Sequence, residues 1–485
     1  MNYETLNRPR ARRILPTIYS LLLIYVVFGA LFLRADDWPK YLRDLNNSAH
    51  SAETGLRSSN VASLKTKWTF STGGEISASP AVATVNGIST VFLGSYNGNF
   101  YALNAVTGKK IWSFGIDLVP PCNTKRCRIG SSASVDVANN LVFFGAENAY
   151  LYALNATTGA LVWKQQLGDP NNGAEVWSSP AFYNGRVYVG LASHDDAPCV
   201  IGLVNAYNEL SGGLSWSFST IDQSTCPQGT CVGGAVWSSV AIDGTNGIVY
   251  ADTGNPGFNC APPSKNATLY PDSVVALAAD SGTLLNYYNA VVNDQMDNDF
   301  GSSPILHMTG EKNQCTGHNT TASWVTAMNK FGGIFVLGRS NTGLTGTVQT
   351  IQQQVGFIAS PAFLAQTNVK QCGTGKKRFD SVNTIFAPDR SGALLTMFQS
   401  SAGTMSVKHY NPLSKKPLFA APATIEDIVL FGANDGHVYV TKTDGTSLLN
   451  FKIGSAIFSG IAISNSRIYF GAANGIIYCM SPKGK

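Results

Sequence analysis

The stretch VYADTGNPGF (249–258) breaks a β-branched and aromatic run with Thr253-Gly254-Asn255-Pro256-Gly257. Asn-Pro and Pro-Gly pairs mark a sharp turn. Asn255 either starts that turn or aims its amide oxygen at a ligand. A second stretch, NDQMDNDFG (293–301), concentrates carboxylates. Asp297 and Asp299 are either solvated loop residues or groups able to face a proton or a cation. Cys122/Cys127 and Cys226/Cys231 share a C-x4-C spacing, which predicts two local loop disulfides. Half a zinc site is the alternative, but neither pair has a second pair nearby. Neither is followed by histidine, so no haem attachment motif is present. Nine cysteines suit an oxidising compartment and leave one over.

The elements that must position these groups form a repeat. GSYNGNFYALNAVTGKKIW (94–112) returns as GAENAYLYALNATTGALVW (145–163), and worn copies follow to the chain end. A second series of small residues runs ahead of them: SASPA (77–81), SSASV (131–135), WSSPA (177–181), WSSVA (237–241), GSSPI (301–305), IASPA (358–362), FAAPA (419–423) and FSGIA (458–462). Both series count eight, at a period of a β-propeller blade. With 48 glycines and only 13% charged residues, the composition favours short strands and tight turns. The expected fold is all-β: an eight-bladed β-propeller over 64–485. Its last repeat lacks a Trp-bearing strand, which LKTKWTF (64–70) supplies, closing the ring with N- and C-terminal strands. Trp112, Trp163 and Trp216 are expected to pack between blades. Ser77, Ser131, Trp177, Trp237, Gly301, Ile358, Phe419 and Phe458 are expected to face the channel.

The N-terminus is a separate matter. Residues 1–13 form a basic segment with Arg8, Arg10, Arg12 and Arg13, and 14–33 is an uncharged apolar run of 20 residues. It reads as a hydrophobic helix, a signal-anchor or a cleaved signal peptide. Either places residues 36–485 outside the cytoplasm, with a membrane contact through the N-terminal segment. Residues 34–63 are an extension, of which 36–60 are expected to lie across the outside of the ring. Residues 1–35 hold five arginines and one glutamate, a net +4 of the total +5, so the remainder carries +1. That excludes the basic face a nucleic-acid partner requires. Glycosylation sequons occur at Asn46, Asn155, Asn266 and Asn319.

The Ala-Leu-Asn-Ala-x-Thr-Gly-x-x-x-Trp repeat resembles the tryptophan-docking motif of the eight-bladed quinoprotein alcohol dehydrogenases, which bind pyrroloquinoline quinone (PQQ). The polyvinyl-alcohol-dehydrogenase-like subgroup is the most similar. GGAVWSSVAIDGTNGIVYADTGNPGF (233–258) is similar to the family segment joining a cofactor-stacking tryptophan to a calcium-binding asparagine. The resemblance therefore implies Trp237 as stacking residue, with Trp177 also at the cofactor, and Asn255 as calcium ligand. NDQMDNDFGSSPIL (293–306) resembles the segment with the catalytic aspartate, implying Asp297 as base and metal ligand and Asp299 as a further ligand or a turn cap. Lys330, in VTAMNKFGGIFVLGRSNTG, matches the cation that contacts the quinone oxygen. Arg128 matches the arginine on a quinone carboxylate. Asp196, or Asp195 beside it, stands where the third-blade acidic ligand is expected, although no arginine precedes Gly202 and no vicinal cysteines occur. The resemblance implies a PQQ- and calcium-dependent dehydrogenase that oxidises an alcohol or polyol by hydride transfer and passes electrons to a separate acceptor. The alternatives are a non-catalytic propeller that binds protein or glycan outside the cytoplasm, and an enzyme using the channel without a quinone.

Overall fold

The computed structural model describes residues 37–118, 127–193, 200–222, 224, 231–257, 270–292, 294 and 296–483. The apolar run 14–33 lies outside them, and no helix among the described residues is long and apolar enough to cross a membrane. The described chain is strands and turns with short 3-10 segments.

The best-kept repeat shows how the sequence builds a unit. Ala81–Val85, Ile88–Gly94, Asn99–Asn104 and Lys110–Gly115 pair antiparallel in chain order. Near-continuous burial along the first three strands gives the sheet two apolar faces, and only the outermost, Lys110–Gly115, alternates. The same meander recurs over 134–166, 174–219 and 241–289. Residues 305–412 instead form one eight-stranded sheet, because two long strands, Ile305–Asn313 and Lys376–Pro388, pair at Gly310–Asn313 with Arg378–Ser381. Residues 423–452 form the next sheet, extended by His50–Ser51 in parallel. The last sheet comprises 462–481 and, as expected from LKTKWTF, Lys65–Ser71 paired antiparallel with Ile476–Ser481.

Tryptophans lock neighbouring sheets together. The indole N–H of Trp68 donates to the Ala105 carbonyl (3.1 Å), Trp112 to Ala156 (3.0 Å), Trp163 to Glu209 (2.7 Å) and Trp216 to Ala279 (3.0 Å). The Thr-Gly turn explains its glycine here. Gly108 has φ +70°, and a Cβ there would stand 2.5 Å from the Trp68 ring. Asn155, in one sequon, accepts from the N–H groups of Thr157 and Thr158, so its amide is the turn's cap. Asn266 lies outside the described residues.

The small-residue series converges on one axis. Each backbone N–H donates to the next serine hydroxyl: Ser79 to Ser132 (2.8 Å), Ser132 to Ser179 (3.0 Å), Ser179 to Ser239 (2.9 Å), Ser239 to Ser303 (2.9 Å) and Ser303 to Ser360 (2.8 Å). Gly460 donates to Ser79 (2.8 Å). The run breaks where Ala421 and Gly460 lack a hydroxyl. This pattern fixes the register and corrects one expectation. Ser131 is fully buried, donating to the Ser178 carbonyl (3.0 Å), and Gly130 and Ser132 face the channel instead. A run of three small residues, Gly130-Ser131-Ser132, reads equally well one place along.

The N-terminal extension is the second correction. Over residues 38–49 it does not lie across the outside but runs beside the innermost strands of successive sheets. Val82 N–H bonds Trp38, Ile242 bonds Leu45, Leu306 bonds Asn46, Phe363 bonds Ser48 and Thr424 bonds Ala49, all at backbone carbonyls. Trp38, Leu42, Ala49 and Leu56 are buried in the main core cluster. The Tyr41 hydroxyl reaches Ser360 (3.2 Å), and the Lys40 ammonium is buried on carbonyls of Tyr41 and Asp44 and the Asn47 amide. Apolar side chains at 38, 42 and 49 explain why the segment turns inward.

Candidate functional site

At the opposite end of the axis a cavity of about 590 Å³ is lined by Trp177, Trp237, Asn255, Asp297, Asp299, Lys330 and Arg390, among others. Trp177 and Trp237 also roof a smaller chamber of about 230 Å³ beneath, with Tyr41 and the serines at its walls. The tryptophans therefore partition the channel.

Asn255 follows strand Ile248–Asp252. The turn is pinned by Gly254 N–H on the Ala235 carbonyl (2.8 Å) and by Gly234 N–H on the Asn255 carbonyl (2.7 Å). Gly254 is needed for close approach: a Cβ there would lie 2.9 Å from Asp299 Oδ2. Asn255 is 7% exposed and its amide nitrogen has no hydrogen-bond partner among the described residues. The amide is thus uncommitted, and a flip would turn its oxygen to a bound group. Phe258, the last residue of the opening stretch, lies outside the described residues.

Asp297 and Asp299 sit in the loop before the inner strand Ile305–Asn313. Asp297 has φ +58°, an uncommon conformation for a non-glycine residue. Buried Asp294 imposes it by accepting from the N–H groups of Met296 (2.9 Å) and Asn298 (2.5 Å) and from the Asn298 amide (3.0 Å). Lys330 Nζ meets Asp297 Oδ1 at 2.5 Å and Asp299 Oδ1 at 2.7 Å, and stands 5.1 Å from the Trp237 ring centroid. The Trp237 indole N–H donates to Asp299 Oδ2 (3.2 Å). Trp237, Asp297, Asp299 and Lys330 therefore form one connected cluster beside Asn255.

Burial sets the protonation balance. It pushes the Asp299 carboxyl up to about 7, with Lys330 holding it down from higher. Burial disfavours the Lys330 charge, but Asp299 and Asp297 outweigh it and raise the ammonium above its ordinary value. Asp272, bonded through its N–H to the Gly254 carbonyl (2.9 Å), is pushed up to about 9 by burial and by the neighbouring carboxylates.

One expected residue stands elsewhere. Arg128 stacks over the Tyr96 ring (4.8 Å) and its carbonyl accepts from Glu147 N–H (3.0 Å), on the side of the first and second repeats. It does not line the larger cavity. Asp196 lies outside the described residues, as do Cys122 and Cys226. Cys127 and Cys231 are each disulfide-bonded. A further bridge, Cys315–Cys372, spans 57 residues and was not foreseen. Cys479 is a buried free thiol.

Arg390, Asp272 and Asp294 were missed. Arg390 was legible: Asp389-Arg390 occupies the place of Asn329-Lys330 one repeat on. The Lys330 N–H bonds the Asp299 carbonyl (2.9 Å), and the Arg390 N–H bonds Gly356 in the same way (3.1 Å). Asp272 and Asp294 owe their chemistry to burial and loop geometry, which no local motif announces.

A flat, anionic quinone fits this donor set: an indole face, two cations and a cavity of suitable size. A hard cation fits the uncommitted Asn255 amide and the buried Asp299 carboxylate, both oxygen donors.

The chain is 28% identical over 311 residues to the quinoprotein alcohol dehydrogenase PedH of Pseudomonas putida, covering 59% of this chain and 50% of that one. It is 25% identical to the polyvinylalcohol dehydrogenase of a Pseudomonas species, covering 88% of this chain and 69% of that one. The chain thus spans about half to two-thirds of the length of these relatives. A europium-containing methanol dehydrogenase shares the fold, with a TM-score of 0.69 at 16% identity over 92% of this chain and 98% of that one. Residues 38–347, more than half of the sequence, match the family description "Glucose/ethanol/alcohol dehydrogenase, beta-propeller domain" for PQQ proteins. The chain belongs to this family of PQQ β-propellers.

Proposed function

We propose that this protein is a PQQ- and calcium-dependent dehydrogenase that oxidises an alcohol or polyol and passes the electrons to a separate acceptor. The observation that carries the reading is the convergence of Trp237, Asn255, Asp297, Asp299 and Lys330 on one cavity. When bound, PQQ supplies an electrophilic quinone carbonyl that accepts hydride, and calcium polarises it. The indole face of Trp237 would hold the flat ring, with Trp177 lining the same cavity. Asn255 and Asp299 hold the cation through oxygen, and Asp196 is a further proposed ligand. Lys330 would stabilise negative charge at the quinone oxygens, and Arg390, lining the same cavity, would supply a second cation for an anionic cofactor. Asp297, 46% exposed where Asp299 is 4%, is the carboxylate a substrate can reach. It accepts the hydroxyl proton at a carboxylate oxygen, and the Lys330 ammonium, 2.5 Å away, holds it in place. The tryptophan partition keeps the lower chamber out of the reaction.

The same reading takes the sheets as eight blades in a closed ring. The pairing of Lys65–Ser71 with Ile476–Ser481 and the bond from Gly460 to Ser79 support it. Residues 14–33 hold the chain at a membrane, with 36–485 outside the cytoplasm, supported by the flanking arginines.

Full-length protein loaded with PQQ and Ca²⁺ should develop a quinone absorbance band and reduce a dye when an alcohol is added. Asp297→Asn should keep the band and lose turnover. A wild type that takes up no PQQ would sink the reading and leave a non-catalytic scaffold or an enzyme that works without a quinone.

A further inference from the structure

Six of the innermost strands end two to four residues after their first: at Val85, Asp136, Tyr183, Asp243, Ile425 and Ser464. Two do not stop. Ile305–Asn313 and Ala362–Gly373 continue past the end closed by the N-terminal segment, beyond Leu306 and Phe363, which bond Asn46 and Ser48. At ~3.3 Å per residue, the six residues from Leu306 to Lys312 carry the chain roughly 20 Å further. The two hairpins pair with each other, and Cys315–Cys372 staples their tips. The tips carry Lys312, Lys370, Lys376, Lys377 and Arg378 against Glu311 and Asp380, a net +3, while residues 36–485 together carry only +1. Glu311 and Asp380 pair with Arg378 and Lys370, so Lys312, Lys376 and Lys377 are left exposed with no ion pair among the described residues. Val369 is 53% exposed beside them.

Asp37, where the described chain begins, lies at the same end: its carboxylate accepts from Thr84 N–H (3.3 Å), next to the turn after Val85. Only Arg34, Ala35 and Asp36 separate it from the apolar run, a span of about 14 Å at most. A chain anchored through 14–33 therefore holds this end nearer to the bilayer than the hairpins are long. We infer that the stapled hairpins form a basic arm that rests on the anionic headgroups of the membrane. The arm makes a second contact, several repeats around the axis from Asp37, and the site opens away from the bilayer. The inference rests on the proposed anchoring.

The test uses the full chain with Thr374→Cys at the tip carrying a fluorophore, reconstituted into vesicles of phosphatidylcholine with or without phosphatidylglycerol, with a headgroup quencher. The label should be quenched in phosphatidylglycerol vesicles, less so at high salt. Combined Lys312→Glu, Lys376→Glu and Lys377→Glu should abolish that quenching with no change in thermal midpoint. Inserted protein with an unquenched label, or quenching indifferent to lipid charge and to the triple variant, would overturn the arm alone. Shielding of an unquenched label by an added acidic protein would overturn it in favour of a protein partner. A chain that carbonate washes off the vesicles overturns the anchoring and the arm with it.

Discussion

Replacing Lys330 with methionine should make stability fall as pH rises, because of what it leaves behind. Asp299 is 4% exposed and rests on Lys330 at 2.7 Å. Burial raises this carboxyl from 3.8 to about 7 even though Lys330 pulls it down, so without the lysine it rises further. A carboxyl with a raised folded pKa favours the fold while protonated. That contribution is complete below the unfolded value and is lost as pH climbs through the folded one. In the wild type the loss is over near pH 7; in Lys330→Met it continues upward. A buried charge stripped of its partner costs about 3–5 kcal/mol. The half-exposed Asp297 adds ~0–1 kcal/mol. We expect a deficit of about 3 kcal/mol near pH ~8.5 that shrinks to about 1 kcal/mol near pH ~5, where Asp299 is neutral and little more than a hydrogen bond is lost. Urea unfolding of full-length protein in chelator, across that pH range, measures it. A deficit that stays constant with pH would refute the assignment of Asp299 as the buried, lysine-compensated carboxyl.

Three other outcomes follow from the same geometry. Gly282→Ala places a Cβ 2.5 Å from the Trp216 ring at a φ of +69°, so urea unfolding should register a loss of about 2–4 kcal/mol. Asp294→Ala removes three hydrogen bonds that hold Asp297; turnover should drop at least tenfold while PQQ affinity changes little, as steady-state kinetics and a binding titration would resolve. Ser239→Ala deletes one link of the serine run, and its cost of about 1 kcal/mol should appear in unfolding with activity retained.

How much of this was legible follows from the kind of signal each feature leaves. The docking tryptophans were legible because Thr-Gly and Trp recur at fixed spacing, and Gly108 against Trp68 gives that spacing its steric cause. The pairing of Lys65–Ser71 with the last repeat followed from a missing strand at one end and a spare one at the other. Asn255, Asp297 and Lys330 come from three separate stretches, and family resemblance rather than local pattern linked them. The inward course of residues 38–50 was missed because its apolar positions are too sparse to set a period. The hairpins over 305–388 were missed because their exposed halves lack alternation, and Cys315 and Cys372 meet only through a long-range strand pairing. Asp272 and Asp299 are ordinary loop aspartates until burial perturbs them.

The central claim is that the Trp237 cavity binds PQQ. A fluorescence titration of the full-length protein with PQQ in Ca²⁺, beside Trp237→Ala, tests it most directly. The prediction is saturable quenching at one PQQ per chain that needs Ca²⁺ and weakens at least tenfold in the variant. Titration without saturation, or affinity unchanged when Trp237 is removed, would contradict it.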